Sequence, residues 1–256
     1  MPFEILDSFR PEMSSDWISE IEKIIKQLEK SKINSIFSPT DPDLKDRKQL
    51  AISYNVLMQA HLRRFLCLID SMELMWNNER LLPCTMMGRS CMESAAMPML
   101  INTTLEKCIN TKDFNRAVHW IASHILLVRT DLQGSGFDDI KLKKIHINDA
   151  IKVVEDLVSG YTRAYDLLSE FLHPNSFGVF CSFCSYSSEA GKNTFLDSQA
   201  IEGKTIANCI SSLISVPVFG RAGSRVKDIG EKIAVTEWSG DDNLGKLFRP
   251  DKPIGG

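Results

Sequence analysis

Between Leu81 and Leu105 the chain carries only two charges, Arg89 and Glu93. No other stretch constrains the fold as strongly. A segment this long, apolar on nearly every side, belongs either in a membrane or at the centre of a helical bundle. Pro83, Pro98, Asn102 and the two opposed charges argue for the bundle. Pro83 suits a first helical turn, whereas Pro98 should kink or split the helix.

The rest of the chain supplies helices to surround it. Trp17, Ile18, Ile21, Ile24, Ile25 and Leu28 recur at helical spacing behind Ser14-Ser15-Asp16, which predicts an amphipathic helix to about Lys32. A long helix is expected from Asp43 to Asn77, with Leu50, Leu57, Met58, Phe65, Leu68, Ile69, Met72 and Met75 as its apolar stripe. The apolar third helix runs from Leu81 to Cys108. A fourth opens at Lys112-Asp113 and continues through Val128. A fifth, capped by Asn148 or Asp149, should run unbroken to Pro174. Residues near 177–197 alternate and are rich in aromatics and cysteine, the pattern of a small β-hairpin. A further helix is expected from Ser198, disturbed at Pro217 and Gly220, with Val226 to Val235 continuing the helical path. The fold class that follows is all-α: a helical bundle of five to seven helices with a β-hairpin insertion. One domain over residues 1–238 and a flexible tail over 239–256 are expected.

With 256 residues, 43% of them hydrophobic, such a chain buries a sizeable core without disulfides or metal. A net charge of −3 gives no global basic field for nucleic acid or an acidic membrane. The N-terminus lacks the pattern of a signal peptide. Seven cysteines, an odd count mostly in apolar helical segments, read as buried free thiols of a reducing compartment, so a cytoplasmic location is expected. Cys181 and Cys184 form a C-x-x-C without a second pair at finger-like spacing, so no metal is expected there. His119 and His124 are five apart, not the spacing of a helical metal pair. No phosphate loop, serine elbow or H-E-x-x-H is present, and no cofactor is expected. Arg63-Arg64 reads as a solvated basic spot. Arg221, Arg225 and Lys227 are a candidate anion site.

The strongest site candidates are Arg89 and Glu93, four residues apart and thus on one helical face. In apolar surroundings each needs a partner. Two readings stand. The charges form an internal pair that fixes helix packing, or they belong to a reactive site. The second element is the row Tyr161, Tyr165, Ser169 and His173, which drifts from the apolar stripe toward the polar side of its helix. His173 before Pro174 reads as a helix-terminal histidine followed by Asn175 in a turn. It also reads as a general acid or base held by Ser169 or Glu93, with Arg89 binding a phosphate and Tyr165 and Asn175 supporting.

Arg89-x-x-x-Glu93 on an apolar helix, together with Leu168-Ser169-x-x-x-His173-Pro174-Asn175 ending a later one, resembles a group of uncharacterised prokaryotic helical proteins. These are similar in turn to the HEPN superfamily of helical bundles. The resemblance covers roughly Leu50 to Gly178. It implies a helical bundle and, in many relatives, metal-independent RNA cleavage in toxin and phage-defence systems. The hallmark of those relatives is an Arg followed four to six residues later by a His on one helix. This chain departs from it, and Arg89 of another helix is left to supply the charge. Two functions are therefore carried forward. One is an interaction or scaffold protein that binds a protein partner or a second copy. The other is an enzyme acting on RNA or a nucleotide through His173, Glu93, Ser169 and Arg89. Neither implies a membrane.

Overall fold

The computed structural model describes residues 13–36, 46–126, 145–172, 184–187, 192–195 and 203–239. The first helix, α1 (Ser15–Lys30), begins where the Ser14 hydroxyl accepts from the Trp17 amide, with Asp16 in its first turn. Ile18, Ile21, Ile25 and Leu28 form its buried stripe. Helix α2 (Asp46–Asn77) is 32 residues long. It ends where Glu79 takes a left-handed backbone, φ 56°, and the Arg80 amide returns to the Met75 carbonyl.

Helix α3 (Leu81–Thr111) continues as one element through Pro98, so the expected split does not occur. A proline there forfeits one backbone hydrogen bond. Packing against its neighbours keeps the helix intact: α3 touches α2 and every helix that follows it among the described residues. These are α4 (Phe114–Leu126), α5 (Ile147–Glu155), α6 (Tyr161–Leu172), α7 (Gly203–Ser212), α8 (Ser215–Ser224) and α9 (Val226–Val235). Pro217 sits harmlessly in the first turn of α8.

The helix expected to run unbroken to Pro174 is two helices, α5 and α6. Its N-cap position is His146, not Asn148 or Asp149. The break has a local cause. Both carboxylate oxygens of Glu155 accept backbone amides beyond it, from Gly160 at 2.8 Å and Thr162 at 2.6 Å. Gly160 has φ +87°, a conformation few other residues adopt. Glu155 thus satisfies donors at the start of α6 that water would otherwise have to serve.

Two short strands, β1 (Cys184–Ser187) and β2 (Lys192–Phe195), pair antiparallel with Cys184 opposite Phe195. Their connection and the remainder of the hairpin expected near 177–197 lie outside the described residues, as does a helix start at Ser198. After α9 the chain folds back. The Ser239 amide and hydroxyl both donate to the Lys112 carbonyl, at 2.8 and 2.7 Å. Residues 240–256, most of the expected tail, are outside the described set. No helix among the described residues is long and apolar enough to cross a membrane.

Helix α3 divides the core into two clusters. Cys91, Met92, Ala95 and Met99 pack with the α1 stripe and with Phe65 and Phe219, whose rings stack at 4.4 Å. Ile101, Leu105 and Cys108 pack with Tyr54, Phe114 and Ile229. Asn102, fully buried, joins the two. Its Oδ1 accepts from the Tyr54 hydroxyl at 2.8 Å, and its Nδ2 donates to the Ala222 carbonyl at 3.0 Å. Burial pushes the Tyr54 phenol far above its ordinary range. Close approach matters as well. A Cβ on Gly88 would lie 2.6 Å from the Ser212 hydroxyl, so α7 sits on α3 only because position 88 is bare.

Asn102→Ala strands a buried hydroxyl and a buried carbonyl. We expect it to lower the unfolding free energy by about 2–4 kcal/mol, measured by chemical denaturation.

Candidate functional site

Arg89 and Glu93, one turn apart on α3, are brought together with Tyr165 of α6. The Tyr165 hydroxyl is the hub. It accepts from Arg89 Nη2 at 3.0 Å and donates to Glu93 Oε1 at 2.9 Å. Arg89 Nε lies 3.2 Å from the same Glu93 oxygen, at ion-pair distance but too bent for a hydrogen bond. The guanidinium carbon stands 5.1 Å from the Tyr165 ring centre, within cation–π reach. One turn earlier on α6, the buried Tyr161 hydroxyl donates to the Met92 carbonyl at 2.8 Å. Two tyrosines four apart therefore rivet α6 to α3.

The side chains of Arg89 and Glu93 are 28% and 29% exposed. They sit at the edge of the core rather than inside it, so water screens the pair and limits its worth. Burial raises the Tyr165 phenol above its ordinary pKa. The Arg89 hydrogen bond opposes that rise, and Glu93 adds to it. The phenol stays protonated at neutral pH and keeps donating to Glu93.

The other predicted site residues divide. Ser169 turns its hydroxyl onto its own helix, donating to the Tyr165 carbonyl at 2.8 Å. His173 and Asn175 lie outside the described residues. Arg225, read as part of an anion site, pairs instead with Glu106 of α3. Arg63 donates to the Ile33 carbonyl at 2.6 Å and Arg64 to the Ser94 hydroxyl at 3.2 Å, so the basic spot serves internal bonds. Cys84, Cys91, Cys108 and Cys209 are buried free thiols, while Cys67 is exposed. Among the described residues no group of His, Cys, Asp and Glu could hold a metal ion.

Spacing rules missed a second polar locus. His124 Nδ1 donates to the Trp120 carbonyl at 2.9 Å, which leaves Nε2 as a buried lone pair without a partner among the described residues. The Trp120 indole N–H is likewise buried and has no partner among the described residues. Burial lowers His124 from the ordinary 6.5 to about 4, against the pull of its own hydrogen bond. His61 of α2 is lowered to about 4 by burial, helped by the nearby His124 and Arg64. Two histidines are thus held neutral. The signal for this was present in the amphipathic period of α4, which places His124 near the face that Val118 and Ile121 bury.

A groove of about 860 Å³ opens between α1, α2, α8 and α9. It shares no residue with the Arg89–Glu93–Tyr165 group.

Two outcomes follow. Tyr165→Phe removes the hub hydroxyl from both charges and should cost about 1–2 kcal/mol in thermal or denaturant unfolding. The histidines set a pH dependence. Between pH 6.5 and about 4 the unfolded chain binds protons that the folded chain refuses, so stability should fall as pH drops through that window. His124→Gln should flatten that slope in unfolding titrations run from about pH 7 to about pH 4.

Comparison with known proteins adds no further identity: no protein family, curated protein or solved structure matches the chain.

Proposed function

We propose that this chain is a helical interaction protein that binds a protein partner or a second copy, with Arg89, Glu93 and Tyr165 acting as a fastening between α3 and α6. The observation that carries this reading is the hub itself. The Tyr165 hydroxyl is engaged on both sides, by Arg89 and by Glu93, and the Ser169 hydroxyl is turned onto its own backbone. A reactive site needs such groups directed at a substrate, whereas a fastening needs them directed at one another. A role in a prokaryotic defence or toxin–antitoxin-like system follows from the sequence resemblance, a cytoplasmic location from the cysteine usage, and both are part of the proposal.

One observation favours the second reading, a HEPN-like metal-independent ribonuclease. Arg89 is more than a quarter exposed, so its outer face remains open to a phosphate. There Arg89 would clamp phosphate and His173 would serve as acid or base, with Glu93 and Ser169 in supporting roles.

The two readings separate on one set of proteins. The wild type, His173→Ala and Arg89→Met are incubated with single-stranded RNA in chelator, and their melting curves are recorded. The interaction reading expects no cleavage by any of the three, together with a lowered melting temperature for Arg89→Met. RNA cleavage by the wild type that both variants abolish, at unchanged stability, would sink it and establish the enzyme.

A further inference from the structure

The groove beside α2 has a chemistry of its own. Leu28, Ile52, Met58, Leu62 and Phe219 give it apolar walls. Gly223, Gly230 and Ala234 on α8 and α9 contribute almost no side chain, which is why the space stays open. Gly230 also lets α9 come close, since a Cβ there would stand 3.3 Å from the Asn55 amide nitrogen. Ile33, which lines the groove, is among the exposed large hydrophobic residues.

The polar groups are few and unequal. Gln59 is spent, accepting from the Ile33 amide and donating to the Ser31 carbonyl. Lys227 and Glu231 face each other at 3.9 Å, both well exposed, and cancel. That leaves Lys48, which has no ion-pair partner among the described residues, and the Asn55 amide, which has no hydrogen-bond partner among them. Two lysines against one glutamate give the lining an excess of one positive charge.

Size and shape narrow the occupant. The volume lies within the roughly 300–1,000 Å³ of small-molecule sites. The lining positions on α2 run from Lys48 to Leu62, about 20 Å at 1.5 Å per residue. A helix with its side chains is about 10 Å across and would seat only one face there. A single hydrocarbon chain, by contrast, can lie along the whole length.

We propose that this groove binds a single-chain fatty acid, with its hydrocarbon along α2 and α9 and its carboxylate at the Lys48 end. This goes beyond the interaction role assigned above and stands on different residues.

The full chain is titrated calorimetrically with octanoate, decanoate and dodecanoate below their micellar concentrations, and with dodecanol as the head-group control. We expect saturable binding of one molecule per chain. Affinity should rise about fourfold for each added methylene. Lys48→Glu, at an exposed position, should weaken dodecanoate about tenfold and leave dodecanol unchanged, the size of one lost charge-assisted contact. Ala234→Phe should abolish binding of both while the circular dichroism spectrum is retained. The proposal is overturned by absent saturation, by affinity independent of chain length, or by Lys48→Glu acting equally on acid and alcohol. It is also overturned if light scattering shows a dimer without added ligand that Ala234→Phe dissociates, since a second copy would then fill the groove.

Discussion

The face that helix α3 turns into the core has no water to satisfy its polar groups, and the rest of this structure answers that condition. Helix α3 touches α2 and every later described helix. Each polar side chain it carries into the core therefore has to find a partner on a neighbour. Asn102 finds Tyr54 and the Ala222 carbonyl, and Ser94 meets Arg64. Even the backbone takes part, since Tyr161 reaches the Met92 carbonyl. Each such bond contributes only about 1 kcal/mol net, yet leaving any one unmade costs more than that. The polar contacts thus act less as glue than as a specification of which helix lies where.

The Arg89–Glu93 pair obeys the same logic under milder terms. At the edge of the core the pair remains screened by water, so neither charge demands burial-grade compensation. Tyr165 is what turns two charges on one helix into a contact between two helices. His61 and His124 show the opposite solution. Those rings are deep enough that the protein keeps them neutral rather than pairing them with a carboxylate.

Much of this was legible in the residues, and what was not has physical reasons. The centrality of α3 could be read from its lack of charge, and the start of α1 from Ser14 and Asp16. The i,i+4 spacing placed Arg89 and Glu93 on one face, but spacing carries no depth, and the expectation of full enclosure proved too strong. The break after Glu155 was hidden because Val154-Glu155-Asp156-Leu157-Val158 keeps a helical period. Only the cap that Glu155 supplies, reaching five and seven residues ahead, reveals the stop. Asn102 was visible as an oddity, yet it argued only against a membrane, since its partners lie 48 and 120 residues away. The groove is a sum of small residues from separate helices, and no window along the chain contains it.

The return of the chain to Lys112 has a mechanical consequence. Ser239 grips the carbonyl at the end of α3 from 127 residues downstream, and Trp238 meets Phe114 edge-on at 5.6 Å. The segment carrying α4 to α9 packs on α3 throughout and is also tied at its two ends by this contact, like a loop of rope knotted at its neck. Tension applied to the C-terminus is delivered straight to α3 and bypasses everything inside the loop for as long as the knot holds. Once those few hydrogen bonds give way under load, the pull passes next to α9, which packs on α2 and α3.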